Sequence, residues 1–182
     1  MPYQYCSACR APLAQRRDLI LKPSDMGKKD VSLTYSFDVI LSERMAHLLQ
    51  DWGVSGFDLR PVQNHGKSDK PVLYQLQVTN VLPSMAAPPT EFEAVRHCEV
   101  CGSTSRFLKH THQWGEITYY EDTDVCYPRS VLEVAQDLNY TAEWFGELPA
   151  MKPTIIISQR LYRLLREHKV KHWDATPVYL VD

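Results

Sequence analysis

The chain has 182 residues, of which 44% are apolar and 23% charged, and a formal net charge of −2. That length suits one substantial core or two small domains, and the near balance of charge does not suggest a nucleic-acid binder. No apolar run approaches the roughly 20 residues that span a bilayer, and the start at Met1-Pro2-Tyr3 has neither the basic region nor the apolar stretch of an export signal, so a cytoplasmic protein is expected.

The first landmark along the chain is Cys6-Ser7-Ala8-Cys9, matched later by Cys98-Glu99-Val100-Cys101-Gly102. Two C-x-x-C knuckles offer four thiolates, the ligand set of a tetrahedral structural zinc, with Cys126 left over. The expected ligands are therefore Cys6, Cys9, Cys98 and Cys101. Four sulfurs leave no open position for substrate or activated water, so such a site holds structure rather than catalysing. The alternatives are a thioredoxin-like dithiol, which needs one motif at a strand-to-helix junction, and unligated cysteines.

Between the knuckles, Asp18 to Leu21 reads as a short strand, and Val31 to Ile40 reads as strand at least in part. Ser42 sits where a helix N-cap belongs, and Met45, Leu48, Leu49 and Trp52 make one apolar helical face that Gly53 can end. Phe57–Val62 and Pro71–Val78 read as paired strands, and the proline-rich Leu82–Glu93 as a linker. After the second knuckle, Thr104–His110 and Glu116–Tyr120 are plausible strands. A helix is expected near Pro128 with Val131, Val134, Ala135 and Leu138 inward. Thr154–Ile157 then reads as a buried strand, followed by a helix from Ser158 and a closing strand from Asp174 to Val181.

The last of these segments repeats an earlier one. Shifted by 116 positions, Ser42–Val62 matches Ser158–Val178 at eight of 21 positions, among them Ser42/Ser158, Arg44/Arg160, Asp58/Asp174 and Pro61/Pro177. Two convergent amphipathic helices would not account for the matches beyond the helix, so a duplicated strand–helix–strand unit is expected. The expected fold class is α+β, two pseudo-repeated units joined by a zinc-ribbon-like knuckle site. The expected division is 1–82, a linker 83–93, and 94–182. The second half takes 57 residues from Cys101 to Ser158 where the first takes 33 from Cys9 to Ser42, an excess of 24.

That longer region is acidic. From His110 to Ala150 stand Glu116, Glu121, Asp122, Asp124, Glu133, Asp137, Glu143 and Glu147 against Arg129 alone, a net −7, which leaves +5 for the rest of the chain. Glu133 and Asp137, four apart on the expected helix, would form a like-charge pair. Such a face is either simply solvated or a docking surface for a cationic partner. Tyr119, Tyr120, Tyr140, Trp144 and Phe145 interleave with the acids as interface anchors would. Other candidates are weaker. His110 and His112 lack a third ligand, His168 and His172 lack the glutamate of a zinc-protease helix, and no phosphate-binding glycine loop or nucleophile elbow is present, so no enzyme is expected.

The paired knuckles, with Ser42-Glu43-Arg44-Met45, Val54-Ser55-Gly56-Phe57-Asp58 and the Ile157–Leu165 segment, resemble the double-CXXCG family, small bacterial immunity partners in polymorphic and contact-dependent toxin systems. The chain departs from it at Arg10, where a glycine would follow the knuckle. The resemblance implies a non-catalytic protein that neutralises a cognate toxin, often a His-Me finger (HNH-like) nuclease that a type VI secretion system delivers. A nuclease presents a basic surface, so the expected toxin-binding residues are Glu116, Glu121, Asp122, Asp124, Glu133, Asp137, Glu143, Trp144 and Glu147, with no direct contact to nucleic acid or membrane. The alternatives are a zinc-ribbon nucleic-acid-binding or regulatory protein, for which Lys28-Lys29 and Arg16-Arg17 are the densest basic places, and a thiol oxidoreductase.

Overall fold

The computed structural model describes residues 3–22, 24, 26–34, 36–64, 72–86, 94–102, 104–107, 125–145 and 152–182. The first half runs β1 (Tyr3–Tyr5), β2 (Pro12–Gln15), β3 (Ile20–Leu21), β4 (Val31–Leu33), β5 (Val39–Ser42), α1 (Glu43–Asp51), β6 (Phe57–Pro61), β7 (Gln63–Asn64) and β8 (Leu73–Val78). The second runs β9 (Ala94–His97), β10 (Thr104–Phe107), β11 (Cys126–Pro128), a 3-10 turn (Arg129–Glu133), β12 (Leu138–Phe145), β13 (Lys152–Ile157), α2 (Gln159–Glu167) and β14 (Tyr179–Val181). The fold is thus mixed α/β, with two helices and several small sheets among the described residues.

The two helices begin and end by the same local chemistry. Ser42 and Ser158 hold extended backbone, and each side chain accepts the amide of the third residue on, Met45 at 3.1 Å and Leu161 at 3.0 Å. Each cap satisfies one of the orphan amides of a helix start, a contribution of about 1 kcal/mol. At the far ends Gly53 and Lys169 both turn left-handed, at φ 59° and 51°, and release the chain into Val54 and Val170. Glycine takes that conformation freely, whereas the Cβ of Lys169 does so at a cost.

Each helix buries its inner stripe in one shared core. Leu41, Met45, Leu49 and Leu76 come from the first half and Leu138, Leu161, Leu165 and Val170 from the second, with Trp52, Phe57, Ile155 and Trp173 packed around them. A second cluster joins Leu19, Met26, Ile40, Val62 and Leu73, and a third joins Leu82, Tyr127 and Val131.

Two kinds of strand pairing recur in both halves, although the sheet orders differ, β4-β5-β8-β6 against β13-β12-β10-β9. β4 and β5 form an antiparallel pair with Val31 opposite Leu41, and β12 and β13 form one with Leu138 opposite Ile157. Parallel pairs join Ile20 to Gln63 and Cys126 to Tyr179. Laying the second set over the first, Ile20 and Cys126 stand 106 positions apart, Val31 and Leu138 107, and Ser42 and Ser158 116, against 92 for Cys6 and Cys98. Between these landmarks the second half is longer by 14 residues from Cys98 to Cys126 and by nine from Leu138 to Ser158.

Several sequence expectations are refined or corrected. Val31 to Ile40 is strand in part, as expected, at Val31–Leu33 and from Val39, and folds as a hairpin with Phe37 at φ 64° in its turn. The helix expected near Pro128 is only the 3-10 turn: Val131 is buried, Val134 is exposed, and Leu138 opens β12. Its extension is blocked because Asn139 folds back, accepting from the Gln136 amide and donating to the Gln136 carbonyl, a local competition in which Asn commonly prevails over helix. The closing strand is confined to Tyr179–Val181. β6 and β8 pair antiparallel as expected, while Glu116–Tyr120 lies outside the described residues.

Candidate metal centre

Two hairpins present the knuckles. β1 and β2 bracket Cys6 and Cys9, and β9 and β10 bracket Cys98 and Cys101. In the first, the Cys6 amide donates to the Ala11 carbonyl at 2.9 Å and the Arg10 amide to the Cys6 carbonyl at 3.0 Å; in the second, the Gly102 amide donates to the Cys98 carbonyl at 2.7 Å. Arg10 and Gly102 therefore occupy one place in the turn, and both are left-handed, at φ 64° and 71°. Arg10 keeps the glycine geometry although it is not a glycine.

The four sulfurs meet. All lie within 4.8 Å of one another, with Cys6 3.8 Å from Cys98 and Cys9 3.6 Å from Cys101. A tetrahedral ion with bonds of about 2.3 Å to sulfur sets its ligands about 3.8 Å apart. The two contacts at 3.8 and 3.6 Å match that spacing, and the remaining pairs lie within about 1 Å of it. Cys6 and Cys98 are buried and Cys9 and Cys101 half-buried, so the site is closed on one side and reachable on the other. The thiols also compete for protons. Backbone hydrogen bonding from Cys9 and Ala8 draws Cys6 down, whereas Cys9, despite a bond from Ala11, is pushed up to about 12 by burial and the neighbouring sulfurs. A cation relieves that crowding by taking all four as thiolates. Cys126 is buried in β11 and belongs to no such cluster among the described residues.

Comparison with family models, with curated proteins and with solved structures gave no match. The remaining site residues are therefore placed by geometry alone.

The three described acidic residues, Glu133, Asp137 and Glu143, do not share one exposed face. Glu116, Glu121, Asp122, Asp124 and Glu147, with Tyr119 and Tyr120, lie outside the described residues. Glu133 is exposed on the 3-10 turn. Asp137 is buried and engaged on both oxygens by Arg160, Ser158 and Ser55. Glu143 is 5% exposed and accepts the Met85 amide at 3.0 Å. The expected helical pair of Glu133 and Asp137 is thereby corrected: one carboxylate faces solvent and the other is an internal anchor. Burial pushes the Asp137 carboxyl up, but the bonds from Arg160, Ser158 and Ser55 prevail and hold it at about 2.

Trp144 is half-buried and lines an open cleft of about 340 Å³ with Tyr3, Leu13, Val81, Tyr140 and Pro153. One wall of the cleft is the β1–β2 hairpin of the first half, the other the β12–β13 pair of the second. Sequence reasoning missed the two arginine locks described below. The signal was present in the repeat, where Arg44 and Arg160 are identical, but their acidic partners lie 14 and 23 residues upstream, outside the matched segment.

Proposed function

We propose that this chain is an immunity protein that binds and neutralises a cognate antibacterial toxin, a nuclease of cationic surface, by covering that surface with acidic residues. The observation that carries the reading is the eight-to-one excess of acids over Lys and Arg between His110 and Ala150, in the half whose knuckle-to-serine stretch is 24 residues longer. Glu133 is exposed, and the reading assigns Glu116, Glu121, Asp122, Asp124 and Glu147, which lie outside the described residues, to the same role. Asp137 and Glu143 are internal and serve the scaffold. Complementary charge of this kind speeds encounter and selects the partner.

On this reading the scaffold is a duplicated unit, and zinc held by Cys6, Cys9, Cys98 and Cys101 ties the two halves at their knuckles. Four sulfurs favour zinc among the common divalent ions, and the closed set supplies folding energy rather than chemistry.

The test is co-expression with the product of the adjacent upstream gene. Co-purification and suppression of its toxicity are the expected results. Reversal of Glu121, Asp124 and Glu133 to Lys then lowers the association rate tenfold or more, with an unchanged melting temperature. Equal affinity in the charge-reversed protein places the interface elsewhere.

A further inference from the structure

The sulfur contacts of 3.8 and 3.6 Å both run between the halves, Cys6 to Cys98 and Cys9 to Cys101. Exposure divides the four in the same way. Cys6 and Cys98 form a buried pair, at 2% and 8% exposure, and Cys9 and Cys101 a half-buried pair. An oxidant arriving from solvent therefore meets one cysteine of each knuckle first, and these two are already in contact.

We propose that a peroxide oxidises this cluster across the halves, joining Cys9 to Cys101 and then Cys6 to Cys98, so that loss of the metal leaves a covalent staple in its place. The pairing rests on the sulfur geometry, and the metal release rests on the zinc reading above.

The chemistry balances with hydrogen peroxide as oxidant. The Cys9 or Cys101 thiolate attacks one peroxide oxygen, the O–O bond breaks, and the departing hydroxide takes a proton to become water. The sulfur is now a sulfenic acid. The facing thiolate of the other knuckle attacks it, the S–O bond breaks, and a second hydroxide leaves and is protonated to water. Each disulfide thus consumes one peroxide, two thiolates and two protons and yields two waters. Two thiolates alone do not complete a four-sulfur site, so the ion is freed after the first bond, and the buried pair closes by the same steps.

The outcome differs from that of a switch that unfolds on oxidation. There, each knuckle closes on itself and the halves lose their tie. Here the tie changes from coordinate to covalent, and the joined elements stay β1–β2 and β9–β10. A protein built this way keeps its two halves registered when an oxidant strips the metal.

The sequence supplies a clean readout. Trypsin cuts after Arg10, Arg96 and Arg106, so Cys6 and Cys9 fall in one peptide, 1–10, and Cys98 and Cys101 in another, 97–106. The full-length protein is first assayed for bound zinc, then treated with hydrogen peroxide beside a chromogenic chelator, blocked with a thiol reagent and digested without reductant. The expected results are loss of one zinc per chain and peptides 1–10 and 97–106 recovered as one linked species, with the same map from Cys126→Ser. Separate peptides, each closed within its own knuckle, overturn the proposal, as do four thiols still free after zinc has gone. A chain that carries no zinc at the start counts against the metal centre alone, and the peptide map still decides whether the disulfides cross the halves. Cys6→Ser with Cys98→Ser must still yield the linked peptides, through Cys9 and Cys101, and separate peptides from that variant overturn the pairing.

Discussion

Asp30 and Asp137 hold the same position in opposite halves. Asp30 accepts from Arg44 at 2.7 Å and from the Lys171 amide at 3.1 Å, while Asp137 accepts from Arg160 and from the Ser55 amide at 3.1 Å. Each arginine comes from the aspartate's own half and each amide from the other. The arginines cross as well: Arg44 reaches the His168 carbonyl at 3.2 Å and Arg160 the Trp52 carbonyl at 3.0 Å, and those two carbonyls cap the opposite helices. The halves are thus latched reciprocally about the shared core.

Asp137 gives the latch a pH dependence. Its folded carboxyl lies near 2, below its ordinary value of 3.8, so its contribution is present above pH 4 and is lost as pH falls through 2. The shift corresponds to about 2 kcal/mol, nearer 1 once solvent screening of the half-exposed Arg160 is allowed for. Urea titrations of the protein and of Asp137→Asn should differ by that amount at pH 7 and converge toward pH 2. A constant difference across this range contradicts the assignment.

Gly56 marks a close approach between the halves. A Cβ added there would stand 2.0 Å from the Leu138 carbonyl oxygen, and its φ of 89° is itself foreign to other residues. Gly56→Ala should therefore cost about 3 kcal/mol or more, read as a lower urea midpoint at unchanged slope. A near-neutral result means that Leu138 and Ser55, which bond at 3.0 Å, separate easily.

Arg10 stands in a conformation that suits glycine. Arg10→Gly removes the left-handed penalty of about 1–2 kcal/mol and adds glycine's chain entropy, for a net gain of about 0.5 kcal/mol. Thermal unfolding at fixed metal concentration measures it. A loss of stability shows that the Arg10 side chain itself supports the knuckle.

Removal of metal tests the centre directly. Chelation should lower the melting temperature by about 10 °C or more, since a ligand bound only to the folded state contributes its binding energy to stability. Cys9→Ser with Cys101→Ser should melt at the chelated temperature and gain nothing from added zinc. An unchanged melting temperature after stripping removes the structural role.

Much of this was legible locally. The serine caps, the inward Met45, Leu49, Leu161 and Leu165, and the turn of each two-cysteine knuckle follow from spacing within a few residues, where backbone geometry decides the outcome. The strand endings were less legible, because Phe37, Asn139 and Gln136 redirect the chain by bonds that propensity does not encode.

The sequence by itself determined which residues were available: two matched knuckles, two capped helices of one pattern, and an excess of acid in the longer half. Only the tertiary structure decided how the acids are used. Glu133 and Asp137 are four positions apart and chemically alike, yet one meets water and the other meets Arg160, Ser158 and Ser55. The difference lies in what packs opposite each carboxylate, and those neighbours are brought in from as far as 82 residues away.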